Sequence, residues 1–272
     1  MKILITGGSG FIGRNLIKGL NKDYDVFSPT SKELDLTNSD AVEFYLRNKY
    51  FDYIIHTACI VSRSNSTNSP DMVYKNLTMF FNLMNSKSRF GKFINFSSGA
   101  EYDIRKDINN SSTLQNSYPT DYYGMSKNII GRLIKGDPNV WNFRAFGVFG
   151  KDEIGGGFIS SNIKRYKQQE NFVLNQDRFF DFYYIKDLIK VVKYYIDNPK
   201  TTTPENVNLV YTNKLKLSGI LNLINSLSHY NVDTVVTHPK LDKQYVGNNI
   251  GVPLKLDLIG LENGIKEIYN EL

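Results

Sequence analysis

Cysteine is almost absent, with Cys59 the single one in 272 residues. No internal disulfide can form, which suits a reducing, cytoplasmic setting. Cys59 itself lies in an apolar run and reads as a small buried hydrophobe. Histidine is nearly as scarce. His56, His229 and His238 stand far apart, so no metal-ligand spacing exists and no metal is expected. No apolar run is long enough to cross a bilayer. The first such run is too short for a signal peptide and breaks at once into glycines. No membrane partner is therefore expected. Lys and Arg outnumber the acids by enough to give a formal charge of +6, but they form no dense run, so nucleic acid is not expected as a partner. There is no internal repeat and no low-complexity tail. Against these absences stands a hydrophobic content of 41%, enough for a sizeable core. The length permits one large domain or one and a half.

The first stretch organises the rest. Ile3 to Ile5 is an apolar run with the look of a buried strand, and it ends in Thr6-Gly7-Gly8-Ser9-Gly10-Phe11-Ile12-Gly13. Phe11, Ile12, Leu16, Ile17 and Leu20 then follow the spacing of a helix face. Strand, glycine turn and helix form the context in which glycines bind phosphate. Gly7 allows the tight turn, Gly10 the close approach of a pyrophosphate, and Gly13 the packing of helix on strand. The N–H groups and dipole of the helix start face the anion.

Further strands are predicted at Tyr24 to Ser28, Phe51 to His56, Lys92 to Phe96, Val140 to Arg144 and Val232 to Val236. Helices are predicted over about 39–48, from Pro70 onward, and over about 158–169, 186–197, 217–227 and 262–271. Thr37 or Asn38 reads as the N-cap of the helix at 39–48. The second strand ends in Ser28-Pro29-Thr30-Ser31-Lys32 with no acid at its end. An Asp or Glu there would favour NAD by binding the ribose hydroxyls. Hydroxyls with Lys32, and Arg14 nearby, favour NADP(H) over NAD(H). His56 reads as a packed strand-end residue, and Ser62 to Ser69 as a polar loop over the cofactor.

The fourth strand delivers Asn95-Phe96-Ser97-Ser98-Gly99-Ala100-Glu101-Tyr102, and Asp121-Tyr122-Tyr123-Gly124-Met125-Ser126-Lys127 follows. Tyr123 and Lys127 share a helix face, whereas Tyr122 has Ser126 at that spacing. The spacing Gly-x-x-Gly-x-x-Gly after Thr6, a Ser-ended strand and Tyr-x-x-x-Lys come in this order. Together they resemble the extended short-chain dehydrogenase/reductase family of nucleotide-sugar epimerases, dehydratases and 4-ketoreductases. The likeness covers most of residues 1–190 and thins beyond.

That resemblance implies a doubly wound parallel α/β sheet of Rossmann type with a small mixed C-terminal substrate lobe. The cofactor-binding core would span 1–155, with a further core segment at about 180–212. Residues 156–272 would form most of a discontinuous lobe. Ser98, with Ser97 as runner-up, Tyr123 and Lys127 would be catalytic. Cofactor contacts would come from Gly7, Gly10, Phe11, Ile12, Gly13, Arg14, Ser31, Lys32, Asp35, Leu36, Thr57, Ala58 and Lys127. Ser98, Tyr123 and Arg178 would meet a nucleotide-diphosphate sugar, since a guanidinium suits paired phosphate oxygens. Asn76 matches an Asn common in its helix. A homodimer through helices at about 70–88 and 121–135 is implied.

The 4,6-dehydratases carry Asp-Glu after the strand-end residue, and Gly99-Ala100 stands here instead. The segment Pro29–Thr37 is similar to that of the GDP-fucose synthase-like subgroup. That subgroup uses a Cys and a His for epimerisation, and their places hold Ala100 and, by ungapped placement, Phe158. The resemblance thus points to NADPH-dependent reduction of an NDP-4-keto-6-deoxy-sugar. An NAD-dependent 4-epimerase, or a non-catalytic cofactor-binding regulatory subunit, are the alternatives.

Overall fold

The computed structural model describes every residue except 62–68, 110–111, 154–155, 201–204 and 241. The expected cofactor loop of Ser62 to Ser69 therefore lies almost wholly outside the described residues, as does Gly155. The strands in chain order are β1 (Lys2–Thr6), β2 (Asp25–Phe27), β3 (Phe51–His56), β4 (Phe90–Ser98), β5 (Val140–Ala145), β6 (Val148–Phe149), β7 (Phe172–Leu174), β8 (Tyr183–Tyr184), β9 (Asn206–Leu209) and β10 (Thr234–Val236). The helices are α1 (Phe11–Leu20), α2 (Ser39–Leu46), α3 (Pro70–Met84), α4 (Tyr122–Leu133), α5 (Phe158–Lys167), α6 (Ile185–Asp197), α7 (Leu217–Asn225) and α8 (Gly260–Glu271).

Six strands form a parallel sheet in the order β2-β1-β3-β4-β5-β9, the expected α/β fold. After β1 the chain steps outward to β2, then returns to the other side of β1 for β3. The strand order thus reverses between β1 and β3, and ligands in such sheets sit at the carboxyl ends of the strands there. Both faces of the sheet are covered, which is why β1 and β3 read as nearly unbroken apolar runs. Side chains alternate along each strand. Ile54 of β3 joins a core with Val42 and Leu46 of α2, Phe80 and Leu83 of α3, and Ile130 of α4. Its neighbour Tyr53 faces the other way and stacks on Trp141, which meets Tyr195 of α6 edge-on.

Helix starts follow from local chemistry. Asn38 accepts a hydrogen bond from the Ala41 N–H at the start of α2, and Asp121 accepts one from the Gly124 N–H, 2.7 Å away, at the start of α4. Each satisfies a donor that has no partner within the helix. Pro70 occupies the first turn of α3, where its missing N–H is not needed.

The chain divides into two compact units. The first comprises 1–103, 112–144 and 192–207, and the second 104–111, 145–191 and 208–272. Within the second, β6 pairs with β8 and β7 with β10, both in parallel, while α5, α7 and α8 pack together. Tyr166 of α5 is fully buried there and donates to the Tyr230 carbonyl. No helix among the described residues is long and apolar enough to cross a membrane.

Leu83 is fully buried in the core beneath α3. Leu83→Ala is expected to lower unfolding stability by about 2–5 kcal/mol, the range for leaving a cavity of this kind, as measured by urea denaturation. A loss well below 1 kcal/mol would show that this core is not tightly packed.

Candidate active site

The glycine turn is a place where three backbone segments touch. Gly7 follows β1 with φ +75°, and a Cβ on it would lie 2.6 Å from the Ala58 nitrogen. A Cβ on Gly13 would collide with the Gly7 carbonyl. Gly10 differs. A Cβ there would meet only the Gly7 oxygen, at 3.2 Å, with open space otherwise. Gly7 and Gly13 thus serve inward packing, while Gly10 leaves room for a ligand at the helix N-terminus. The Gly10 N–H donates to the Gly7 carbonyl at 3.0 Å, which closes the turn. Thr57 locks the end of β3 to β1, its hydroxyl donating to the Thr6 carbonyl at 2.7 Å. Gly7, Gly10, Gly13, Thr57 and Ala58 therefore come together at the reversal between β1 and β3. Phe11 and Ile12 open α1, and the Arg14 N–H donates to the Gly10 carbonyl. This floor of bare backbone fits a dinucleotide pyrophosphate.

Ser31 and Lys32 lie exposed beyond β2. The nearby Glu33 carboxylate accepts from both the N–H and the hydroxyl of Thr30, at 2.7 and 2.9 Å. Those hydrogen bonds hold its pKa below the usual range. Asp35 is used in the same way, accepting from the hydroxyl and N–H of Thr37. Leu36 beside it is buried in the core.

Ser98 ends β4 and is buried, and its Oγ accepts from the Ala100 N–H at 3.1 Å. It also shares a hydrogen bond with the Tyr123 phenol. Lys127 is buried one turn along α4 from Tyr123. Its ammonium donates to the Phe96 carbonyl at 2.8 Å and lies 5.8 Å from the centre of the Tyr123 ring. The structure thus joins the three residues to which the family resemblance points. Burial raises the Tyr123 pKa strongly, the Cys59 thiol adds to the rise, and the Ser98 hydrogen bond opposes it. The free chain therefore holds Tyr123 as a neutral phenol.

His56 is buried, and its Nδ1 lies 2.8 Å from the Thr6 hydroxyl in a hydrogen bond. Burial and the neighbouring Lys127 charge push its pKa down to about 3. It stays neutral, as a packed strand-end residue should. Cys59 departs from expectation, because it is only half-buried. The loop carrying it leaves the sheet after β3, so its apolar neighbours Ile60 and Val61 are exposed too. Asn76 holds that loop, bonding both the N–H and the carbonyl of Ile60, and it also donates to Ser126 of α4.

Arg178 belongs to the second unit, where it pairs with Asp242 at 3.2 Å and lies over the Phe180 ring. Sequence reasoning passed over Glu101 as a partner in the site. It is fully buried and bound to Arg144, Asn142 and Ser97. Its position three residues after Ser98 was the available signal. Among the described residues no cluster of His, Cys, Asp or Glu could hold a metal.

Gly13→Ala tests the inward packing. Alanine favours the helix by up to about 1 kcal/mol, yet its Cβ must push α1 away from Gly7. Affinity for a nicotinamide dinucleotide is expected to fall at least about tenfold, by titration calorimetry on folded protein. Unchanged affinity would separate the glycine turn from cofactor binding.

Residues 3–209 match the model of the NAD dependent epimerase/dehydratase family. The chain is 26% identical over 237 residues to the GDP-L-colitose synthase of Yersinia pseudotuberculosis, covering 77% of this chain and 76% of that one. It is 26% identical over 270 residues to the GDP-6-deoxy-D-talose 4-dehydrogenase of Aggregatibacter actinomycetemcomitans, covering 94% and 90%. A solved dTDP-4-dehydrorhamnose reductase from Clostridium acetobutylicum shares the fold, with a TM-score of 0.80 at 22% identity, over 100% of this chain and 99% of that one. With the glycine turn at the β1/β3 reversal and Ser98, Tyr123 and Lys127 gathered at the end of β4, the chain belongs to the NAD-dependent epimerase/dehydratase family, the extended short-chain dehydrogenase/reductases.

Proposed function

We propose that this protein is an NADPH-dependent reductase of an NDP-4-keto-6-deoxy-sugar. The observation that carries the reading is the half-buried Tyr123, whose phenol meets the buried Ser98 and is followed one turn later by the buried Lys127. A ketone reduction needs a proton donor at the carbonyl oxygen, so its tyrosine must begin protonated. An epimerase that first oxidises its sugar needs the same tyrosine as a base. Desolvation holds the Tyr123 phenol protonated in the free chain, which suits the former.

Bound NADPH supplies the hydride. As charge builds on the carbonyl oxygen, the Ser98 hydroxyl donates to it and Tyr123 passes its proton across. The Lys127 ammonium stabilises the tyrosinate left behind and holds the nicotinamide ribose. In this reading the first unit is the cofactor-binding core. Ser31, Lys32 and Arg14 meet the 2′-phosphate, and the Glu33 carboxylate, occupied by Thr30, does not compete for the ribose. Asp35 and Leu36 lie by the adenine. The second unit supplies the substrate lobe, where Arg178 would exchange Asp242 for the diphosphate. Ala100 and Phe158 leave no epimerising Cys and His at the places the GDP-fucose synthase-like subgroup uses. The named relatives that act on GDP-linked deoxy sugars support a substrate of this class. Exposed Tyr74, Phe81 and Leu133 on α3 and α4 offer a face for a second copy.

Titration calorimetry is expected to show exchangeable NADPH binding with clear preference over NADH. NADH preference, or copurified NAD that does not exchange, would turn the reading to the 4-epimerase. Tyr123→Phe is expected to keep NADPH affinity and lose turnover of a 4-keto nucleotide sugar by about 100-fold or more. Full activity in that variant would remove Tyr123 from the chemistry.

A further inference from the structure

The catalytic serine sits at the head of a short turn, Gly99–Glu101, and that turn is fastened at both ends. At its head, Ser98 Oγ accepts from the Ala100 N–H. At its tail, the Glu101 side chain is fully buried and meets three partners. The Ser97 hydroxyl donates to Oε1, Asn142 Nδ2 donates to Oε1 at 2.7 Å, and Arg144 Nε donates to Oε2 at 2.5 Å. Arg144 is itself buried and lies over the Tyr102 ring, 5.5 Å from its centre. The Glu101 backbone carbonyl looks the other way, accepting from Asn128 Nδ2 at 2.7 Å. Asn128 is the residue after Lys127 on α4, and Arg132 Nε fixes its amide from one turn further on.

One residue therefore links β4, β5 and the helix that carries Tyr123 and Lys127. Gly131 of α4 completes the arrangement. A Cβ there would fall 2.8 Å from Oε2 and 3.0 Å from the carboxyl carbon of Glu101. The helix gives up a side chain in mid-length so that the carboxylate can sit against its backbone. Taking two charges out of water is unfavourable unless the pair is closely matched and fully hydrogen-bonded, and fold stability alone is often served as well by apolar residues. This pair meets the geometric condition, and Glu101 ends the turn that Ser98 begins.

We propose that Glu101 and Arg144 are positioning residues, a buried ion pair that sets the Ser98 turn against α4 and so holds Ser98 and Tyr123 in hydrogen-bond register. The pair touches neither substrate nor cofactor and acts through the turn. The inference rests on the assignment of Ser98, Tyr123 and Lys127 as the catalytic set.

Two variants test it. Glu101→Gln/Arg144→Met removes both charges together, so no lone charge is left buried. Gly131→Ala adds one methyl where the carboxylate sits and leaves both charges in place. Both are expected to remain folded by circular dichroism. Both are expected to lower kcat for reduction of a 4-keto nucleotide sugar by about 100-fold, the usual loss for an ångström of misplacement, while KM changes little. Crystal structures of the variants are expected to show the Ser98–Tyr123 hydrogen bond broken. Wild-type kcat in a folded double variant would overturn the proposal, and so would wild-type kcat in Gly131→Ala if the double variant does not fold. If the wild-type protein reduces no 4-keto nucleotide sugar, the functional reading fails instead. The pair is then judged on the variant structures alone, where an intact Ser98–Tyr123 bond overturns its role and a broken one upholds it.

Discussion

Everything at the cofactor end of this molecule depends on a contact between bare backbones. β1, α1 and the end of β3 meet at Gly7, Gly13 and Ala58, with no room for a Cβ at either glycine. That proximity brings the N-terminus of α1 down onto the carboxyl edge of the sheet, at the reversal of strand order. The positive end of the helix and its unsatisfied N–H groups then face one small volume. A bulkier residue at Gly13 would tilt the helix away and spread the donors apart. The glycine turn is thus a packing constraint first and a binding feature as its consequence.

Much of this was legible in the sequence because its signals are local. β3 falls at Phe51–His56, where the apolar run placed it, and α3 begins at Pro70. The family resemblance, carried by the order and spacing of these motifs, points to Ser98, Tyr123 and Lys127, and the structure gathers them at the end of β4. Other elements were hidden by their own chemistry. β9 reads Asn-Val-Asn-Leu, which looks like a polar loop. Its Asn206 accepts from Asn142 and its Asn208 donates to the Asn248 carbonyl, so both amides are taken up inside the fold. β7 and β8, with three and two residues, are too short for periodicity to detect. The apolar neighbours of Cys59 predict burial, yet they lie exposed on the loop that follows β3.

Glu101 marks the limit of such reading more sharply. A lone acid in a loop sequence is ordinarily a solvated charge. Its partner Arg144 comes 43 residues later in the chain, and Gly131 resembles any weak point in a helix. No window in the sequence contains all three. Only the packing of α4 against the end of β4 turns them into one unit.

Two buried titratable groups of the first unit, His56 and Glu101, are handled in opposite ways, and the difference bears on chemistry. His56 is deprived of its charge, because desolvation and the Lys127 ammonium both disfavour the imidazolium. The Glu101 side chain instead faces Arg144 and two further donors. The Tyr123 phenol is held neutral chiefly by desolvation. A neutral imidazole offers Tyr123 no cation to favour tyrosinate, and a paired carboxylate adds only weakly to its proton affinity. Lys127 is then the one cation on the same helix face able to respond when the phenol gives up its proton. An arrangement of this kind favours release of the proton at the moment charge appears on a substrate oxygen, and opposes release beforehand. That asymmetry is what a proton donor to a ketone requires, and it follows from where the charges are buried rather than from the Tyr-x-x-x-Lys spacing itself.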